Sequence, residues 1–91
     1  MAKRAKLEII KDILEIVKTN HNSIKPTPLL RKSNISSSRF KEYFNDLMRK
    51  QFIEEKIHKK DKLISLTEKG YKFLEKYKTI INFIDEFELQ D

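Results

Sequence analysis

Residues 27–49 read TPLLRKSNISSSRFKEYFNDLMR, and the fold turns on how this stretch divides. Thr27-Pro28 has the form of a helix start: the threonine supplies an N-cap oxygen, and proline at the first helical position loses no needed N–H. A short helix through Leu29, Leu30, Arg31 and Lys32 follows. Ser33-Asn34-Ile35-Ser36 then reads as a tight turn, with Ile35 pointing inward and Ser36 capping the next helix. In that helix Phe40, Tyr43, Phe44, Leu47 and Met48 share one face. Ser38, Glu42, Asn45 and Arg49 project from the opposite face, flanked by Arg39, Lys41 and Asp46.

Upstream, Leu7, Ile10, Ile13, Leu14 and Val17 keep helical spacing between Arg4 and Thr19, with Ile9 and Ile16 widening the apolar face. Asn20-His21-Asn22-Ser23 ends this helix, and Ile24-Lys25 has room for a very short strand before Pro26. Downstream come two β-prone runs, Phe52 to Ile57 and Leu63 to Leu66, around the charged loop His58-Lys59-Lys60-Asp61-Lys62. Thr67 with Glu68 starts a last helix that runs to about Glu88. The chain is therefore mainly α with a small β-hairpin, in the order helix, short strand, helix, turn, helix, hairpin, helix. That is a winged helix-turn-helix, the hairpin being the wing, followed by a coiled-coil-like C-terminal helix. Residues 1–74 form the winged domain, and residues 67–91 the C-terminal helix, its distal part left for dimerisation.

Composition narrows the partners. Ninety-one residues make one domain, and near-equal shares of hydrophobic (38%) and charged (37%) residues give a small core under an ionic surface. The net charge of +6 permits an anionic partner, nucleic acid or an anionic membrane surface. Up to Lys78 the chain holds all 20 basic residues against 10 of its 14 acids, a balance of +10; beyond it stand only Asp85, Glu86, Glu88 and Asp91. The body is thus far more basic than the whole, and the C-terminal end would be repelled by phosphate. No apolar run approaches the ~18 residues that would span a bilayer, and none resembles a signal peptide, so a cytoplasmic, nucleoid-associated protein with no membrane partner is expected.

Catalysis finds no support. A single glycine rules out a glycine-rich phosphate loop, and there is no cysteine nucleophile. His21 and His58 lie in separate loops without metal-ligand companions and read as solvated. Glu54 and Glu55, adjacent on a strand, face opposite sides. No enzyme activity, cofactor or metal site is expected.

Binding of double-stranded DNA is the function the pattern favours. A helix reads the major groove only if its outer face carries hydrogen-bonding side chains and its back is anchored. Asn45 can contact adenine in bidentate fashion, Arg39 or Arg49 guanine, and Ser37 and Ser38 phosphates or bases, with Lys41 alongside. The wing brings Lys56, His58, Lys59, Lys60 and Lys62 against one acid, Asp61, and suits the sugar–phosphate backbone or the minor groove. Lys3 and Arg4, with Lys6, form a basic lead-in; Arg31 and Lys32 close the second helix, where cations also suit the helix dipole. Glu42 and Asp46 on the reading face favour an alternative, a winged-helix module that binds protein partners within a larger complex. In the last helix Phe73, Tyr77, Ile80, Ile84 and Phe87 are spaced 4, 3, 4, 3, with Gly70 extending the series backward, and Leu74, Ile81 and Phe83 widen this stripe. Its distal part, Tyr77, Ile80, Ile81, Ile84 and Phe87, is too apolar to leave in water and points to a homodimer, unless the helix folds back over the first helix.

These residues together resemble the small archaeal winged-helix DNA-binding proteins, among them chromatin proteins and compact transcription regulators. The likeness rests on Lys6-Leu7-Glu8-Ile9-Ile10 with Asp12-Ile13-Leu14, on Asn34-Ile35-Ser36, on Tyr43-Phe44 with Leu47, and on Ser65-Leu66-Thr67-Glu68-Lys69-Gly70 with Phe73-Leu74. The resemblance implies dimerisation through the C-terminal helix as an antiparallel coiled coil that presents two winged domains to DNA. Here the last helix is short for that role and its end is acidic.

Overall fold

Each element boundary follows from a local backbone rule. The computed structural model describes residues 6–88. Its elements are α1 (Lys6–Thr19), α2 (Pro26–Ser33), α3 (Ser37–Arg49), β1 (Ile53–His58), β2 (Asp61–Leu66) and α4 (Glu68–Glu86).

In α1 the buried residues are Ile9, Ile10, Ile13, Leu14 and Val17, with Ile16 packed at the margin. Leu7, expected on the same face, is 57% exposed. Helical side chains lean toward the N-terminus, so one in the first turn reaches past the body it would have packed on. His21 and Asn22 then take left-handed backbone (φ 62° and 55°), and the Asn22 side-chain oxygen accepts the Leu66 N–H at 2.7 Å. The chain thereby passes β2, where Ile24 and Ile64 exchange both backbone hydrogen bonds (3.2 and 2.7 Å). The short strand expected at Ile24-Lys25 is this single bridge.

The second helix starts two residues earlier than its sequence implies. Pro26 is its first residue, Lys25 stands at the N-cap without a side-chain bond, and Thr27 lies inside the helix rather than capping it. Two of the first three helical residues are prolines and have no N–H to satisfy, so a capping oxygen would have little to accept. Asn34 ends α2 in left-handed backbone (φ 57°, ψ 38°), a conformation asparagine tolerates. Ile35 packs at the edge of the core, and the Ser36 hydroxyl accepts the Arg39 N–H at 3.3 Å, capping α3 as expected. This is the turn of the helix-turn-helix.

The exit of α3 is a Schellman motif, with Gln51 N–H donating to the Met48 carbonyl and Phe52 N–H to that of Leu47 (3.1 and 2.9 Å). Gln51 takes the left-handed position that glycine usually fills (φ 65°). The strands pair antiparallel, from Ile53 opposite Leu66 to His58 opposite Asp61. Only Lys59 and Lys60 form the turn, so the five-residue loop expected at 58–62 is a two-residue one: His58, Asp61 and Lys62 belong to the strands. Two strands running the full length of the loop gain the hydrogen bonds a longer loop forgoes.

One core joins α1, α2 and α3 with the base of the hairpin and the proximal part of α4: Ile9, Ile13, Leu14 and Val17 meet Leu29, Phe40, Leu47, Ile53, Ile64, Leu66 and Leu74. Burying one such side chain contributes roughly 1.5–3 kcal/mol. Leu30 and Phe44 sit at the core's margin rather than its centre. Thr67 caps α4 by accepting the Gly70 N–H at 3.2 Å. Gly70 allows a close approach, as expected, but to backbone rather than to a helix: a Cβ there would lie 2.3 Å from the Phe52 carbonyl oxygen.

Candidate nucleic-acid interface

Phe40 and Leu47 anchor α3 in the core, and Tyr43, Phe44 and Met48 pack beside them. Each residue turns the helix by about 100°, so Ser38, Glu42, Asn45 and Arg49 fall within about 60° of one another on the far side. Ser38, Glu42, Asn45 and Arg49 are exposed, as are Ser37, Arg39 and Lys41. The outer face of α3 therefore carries hydroxyl, amide and guanidinium donors on a rigid back, the arrangement a groove-reading helix requires.

The two shoulders of that face differ. Lys41 and Ser37 lie on one. On the other, Arg39, Glu42, Tyr43 and Asp46 share a shallow recess with Lys6 from the start of α1. Asp46 binds two cations of its own helix: Arg49, through a short hydrogen-bonded ion pair, and Lys50 at 3.3 Å. Partial burial pushes the Asp46 carboxyl up, but the hydrogen bonds from Arg49 and Lys50, with their charges, outweigh it and hold the group below its ordinary 3.8. Arg49, expected as a free base-contacting residue, is thus exposed but tied to a carboxylate. Lys50 was not among the residues the pattern singled out.

The wing brings Lys59 and Lys60 to its tip and Lys62 to its second strand, all exposed. The one acid there, Asp61, is paired with Lys25 at 3.5 Å, so the lysines at the tip keep their net charge. Arg31 and Lys32 are exposed at the end of α2, with Lys32 Nζ donating to the Asn20 side-chain oxygen at 3.3 Å. They lie on a different element from the reading face. Lys3 and Arg4 fall outside the described residues.

The α3 exit is fastened to the start of α4. Thr67 N–H donates to the Phe52 carbonyl (3.1 Å), the Thr67 hydroxyl to that of Gln51 (2.5 Å), and Lys69 Nζ to that of Lys50 (2.9 Å). Lys69 also lies over the Phe52 ring, 4.7 Å from its centre. Along α4, Leu74 is buried and Tyr77 half-buried, Lys11 of α1 standing 6.0 Å from the Tyr77 ring centre. The proximal half thus does pack back on α1. Beyond it Ile80, Ile81, Phe83 and Phe87 are exposed and Ile84 half-buried, and Phe83 touches only its neighbour Phe87 among described ring pairs (4.9 Å). Among the described residues no group of three or more His, Cys, Asp or Glu side chains could hold a metal ion, and no helix is long and apolar enough to cross a membrane.

Residues 3–85 match the sequence model of the winged helix-turn-helix family. Among solved structures the chain is similar to Sso10a-2, a DNA-binding protein from Sulfolobus solfataricus, with a TM-score of 0.73 and 20% identity over 93% of this chain and 86% of that one. It is similar also to F93 from STIV, a winged-helix DNA-binding protein (TM-score 0.71, 20% identity, 87% of this chain and 91% of that one). SSV1 F-93 gives 0.66 and 24% identity, covering 93% and 99% of the two chains. At these identities the likeness is one of fold, and it bears out the resemblance to small archaeal winged-helix proteins. No curated protein matches the chain.

Proposed function

The chain belongs to the winged helix-turn-helix family, and from that premise we propose that it binds double-stranded DNA as a homodimer and acts as a transcription regulator or nucleoid-associated protein in the cytoplasm. The observation that carries this reading is the pairing of two features: an anchored α3 with Ser38, Asn45 and Arg49 on its open face, and a hairpin tipped by Lys59 and Lys60. In this reading α3 enters the major groove with Ser37, Ser38, Arg39, Lys41, Asn45 and Arg49, and the wing lies over a backbone with Lys59, Lys60 and Lys62. Lys3, Arg4, Arg31 and Lys32 add phosphate contacts at the margins. Tyr77, Ile80, Ile81, Ile84 and Phe87 form the dimer seam, which divides the chain into a winged domain (1–74) and a C-terminal helix (67–91). The DNA-binding proteins among the similar structures support the choice of ligand.

Salt tests it. Binding to duplex releases condensed counterions, so if each domain neutralises about four phosphates the log–log slope of affinity against salt should approach −3.5 per domain. No duplex binding at low salt, or a slope near zero, would reject the reading. A second reading, a module for protein partners, is favoured by the Asp46 cluster, which neutralises part of the α3 face. It would be supported by a flat salt response together with a partner that competes for α3.

A further inference from the structure

The two carboxylates of α3 are in different states. Asp46 holds Arg49 and Lys50, whereas Glu42 is exposed and, among the described residues, forms no ion pair. Arg39 and Lys6 line the same recess, but neither cation is paired with it. Glu42 also stands nearer the middle of the outer face. Ser38 is one turn before it and Asn45 one turn after, on the side away from Phe40 and Leu47. An anion so placed must come close to whatever α3 enters.

For a duplex that position is unfavourable unless the carboxylate finds a donor. Phosphates flank the groove and repel it, and the water it gives up on entry has to be replaced by a hydrogen bond. Around it Arg39, Lys41, Arg49 and Lys50 outnumber the two acids, so α3 as a whole is still drawn to DNA. The major groove offers two amino donors, N6 of adenine and N4 of cytosine. Adenine's stands between two acceptors, its own N7 and O4 of the paired thymine. Cytosine's has an acceptor on one side only, O6 of the paired guanine. A carboxylate, which only accepts, is therefore less opposed at cytosine.

We propose that Glu42 is a specificity-determining residue of α3, which accepts a hydrogen bond from cytosine N4 and penalises any other base at that position. The inference rests on the DNA-binding reading and names a base that the helix reads. Because phosphate repels it, Glu42 cannot hold α3 in register by itself. It discriminates where Asn45 and the flanking cations have seated the helix.

The experiment selects bound sequences from a random duplex pool with the full chain, with Glu42→Gln and with Glu42→Ala. The side chain is exposed and unpaired, so all three should fold alike, which circular dichroism checks. Wild type should enrich a cytosine at one position of its site. Glutamine, which takes adenine through N6 and N7, should move that position to adenine, and alanine should leave it open. On the wild-type site, exchanging that cytosine should lower affinity about tenfold for wild type and leave Glu42→Ala unaffected. N4-methylcytosine is the sharper probe, since the methyl group replaces the groove-facing hydrogen while pairing with guanine is kept. It should weaken wild type about as much as the exchange does and spare Glu42→Ala. A selection without a cytosine that responds to Glu42→Gln, or full wild-type binding to N4-methylcytosine, overturns the inference and leaves DNA binding intact. Tighter binding of both variants to every duplex, with base preferences unchanged, would mark a carboxylate that only repels phosphate and overturns it too. Absence of duplex binding by all three would overturn the DNA reading itself.

Discussion

Lys59 and Lys60 occupy a place that backbone chemistry gives to Asn-Gly. Both have positive φ (49° and 73°), as a two-residue primed turn requires, and neither has the short side chain or missing Cβ that eases it. The left-handed conformation costs an ordinary residue roughly 1–2 kcal/mol. The wing therefore gives up stability for charge at its tip. Replacing the pair by Asn-Gly should raise stability by about 1 kcal/mol, the gain at the turn being partly offset by the freer unfolded chain around a new glycine. In a domain this size that is about 4–8 °C in Tm. The same change removes two phosphate contacts and should flatten the salt slope by up to about two units. A melt that falls, or DNA binding that does not, would separate turn strain from wing function. The sequence shows the charge of this loop plainly and its length wrongly, because a run of five charged or polar residues, His58 to Lys62, carries no alternation to reveal strand pairing. The start of α2 misleads for a related reason. Thr27 has a good cap side chain, but the helix already begins at Pro26, and the Leu29 N–H that Thr27 would cap donates to the Lys25 carbonyl instead.

At the level of the element, α3 was legible face by face. Its 3.6-residue period places Phe40, Tyr43, Phe44, Leu47 and Met48 inward and leaves Ser38, Asn45 and Arg49 out, and the structure keeps that division. What the period could not show is which exposed charges pair. Residues three and four apart are neighbours on a helix, so Asp46 had several possible partners; it takes Arg49 and Lys50, both at the C-terminal end. The Leu66-Thr67-Glu68-Lys69-Gly70 step was likewise visible as a marker without its reason, which is that Thr67, Lys69 and Gly70 all serve the junction with residues 50–52 at the α3 exit. Because the Asp46 carboxyl is held below its ordinary 3.8, the stability its cluster contributes is fully present above that value and lost as pH falls through the lowered one. Asp46→Asn frees two cations beside the reading face. Duplex affinity should rise about tenfold, with a salt slope steeper by roughly one to two units. Asn45→Ala on the same helix should instead erase preference among sequences, at roughly 1–3 kcal/mol for the preferred site. If Asp46→Asn weakens binding, the carboxylate is itself a contact, as an acceptor from cytosine would be.

Seen whole, the molecule is longer than its residue count allows for a closed body. The radius of gyration is 14.0 Å, and the extents are 48 × 28 × 21 Å; a compact chain of this length would have a radius near 12 Å. The excess fits the reach of α4, whose 19 residues run about 28 Å, while only its proximal part is packed against the body. Gly70 and Leu74 are buried along that part, whereas Ile80 and Phe87 are 58% and 57% exposed on the distal part. The spacing in the sequence thus described two surfaces in succession: a seam against α1, then an uncovered stripe. A second copy of the same stripe is the covering that the proposed dimer supplies. Ile80→Asp with Ile84→Asp would then place an unpaired carboxylate at each position in an apolar seam, a cost of several kcal/mol across two chains. The core around Leu14, Leu47, Ile64 and Leu66 lies in the winged body, so the variant should remain folded and sediment as a monomer where wild type sediments as a dimer at micromolar concentration. Losing the dimer also halves the phosphates that one complex can neutralise, so affinity and salt slope should fall together. A wild-type monomer would leave the stripe without a second copy to cover it. An unfolded variant would show instead that distal α4 supports the fold of its own chain, and either result would reject the interface assigned to Tyr77 through Phe87.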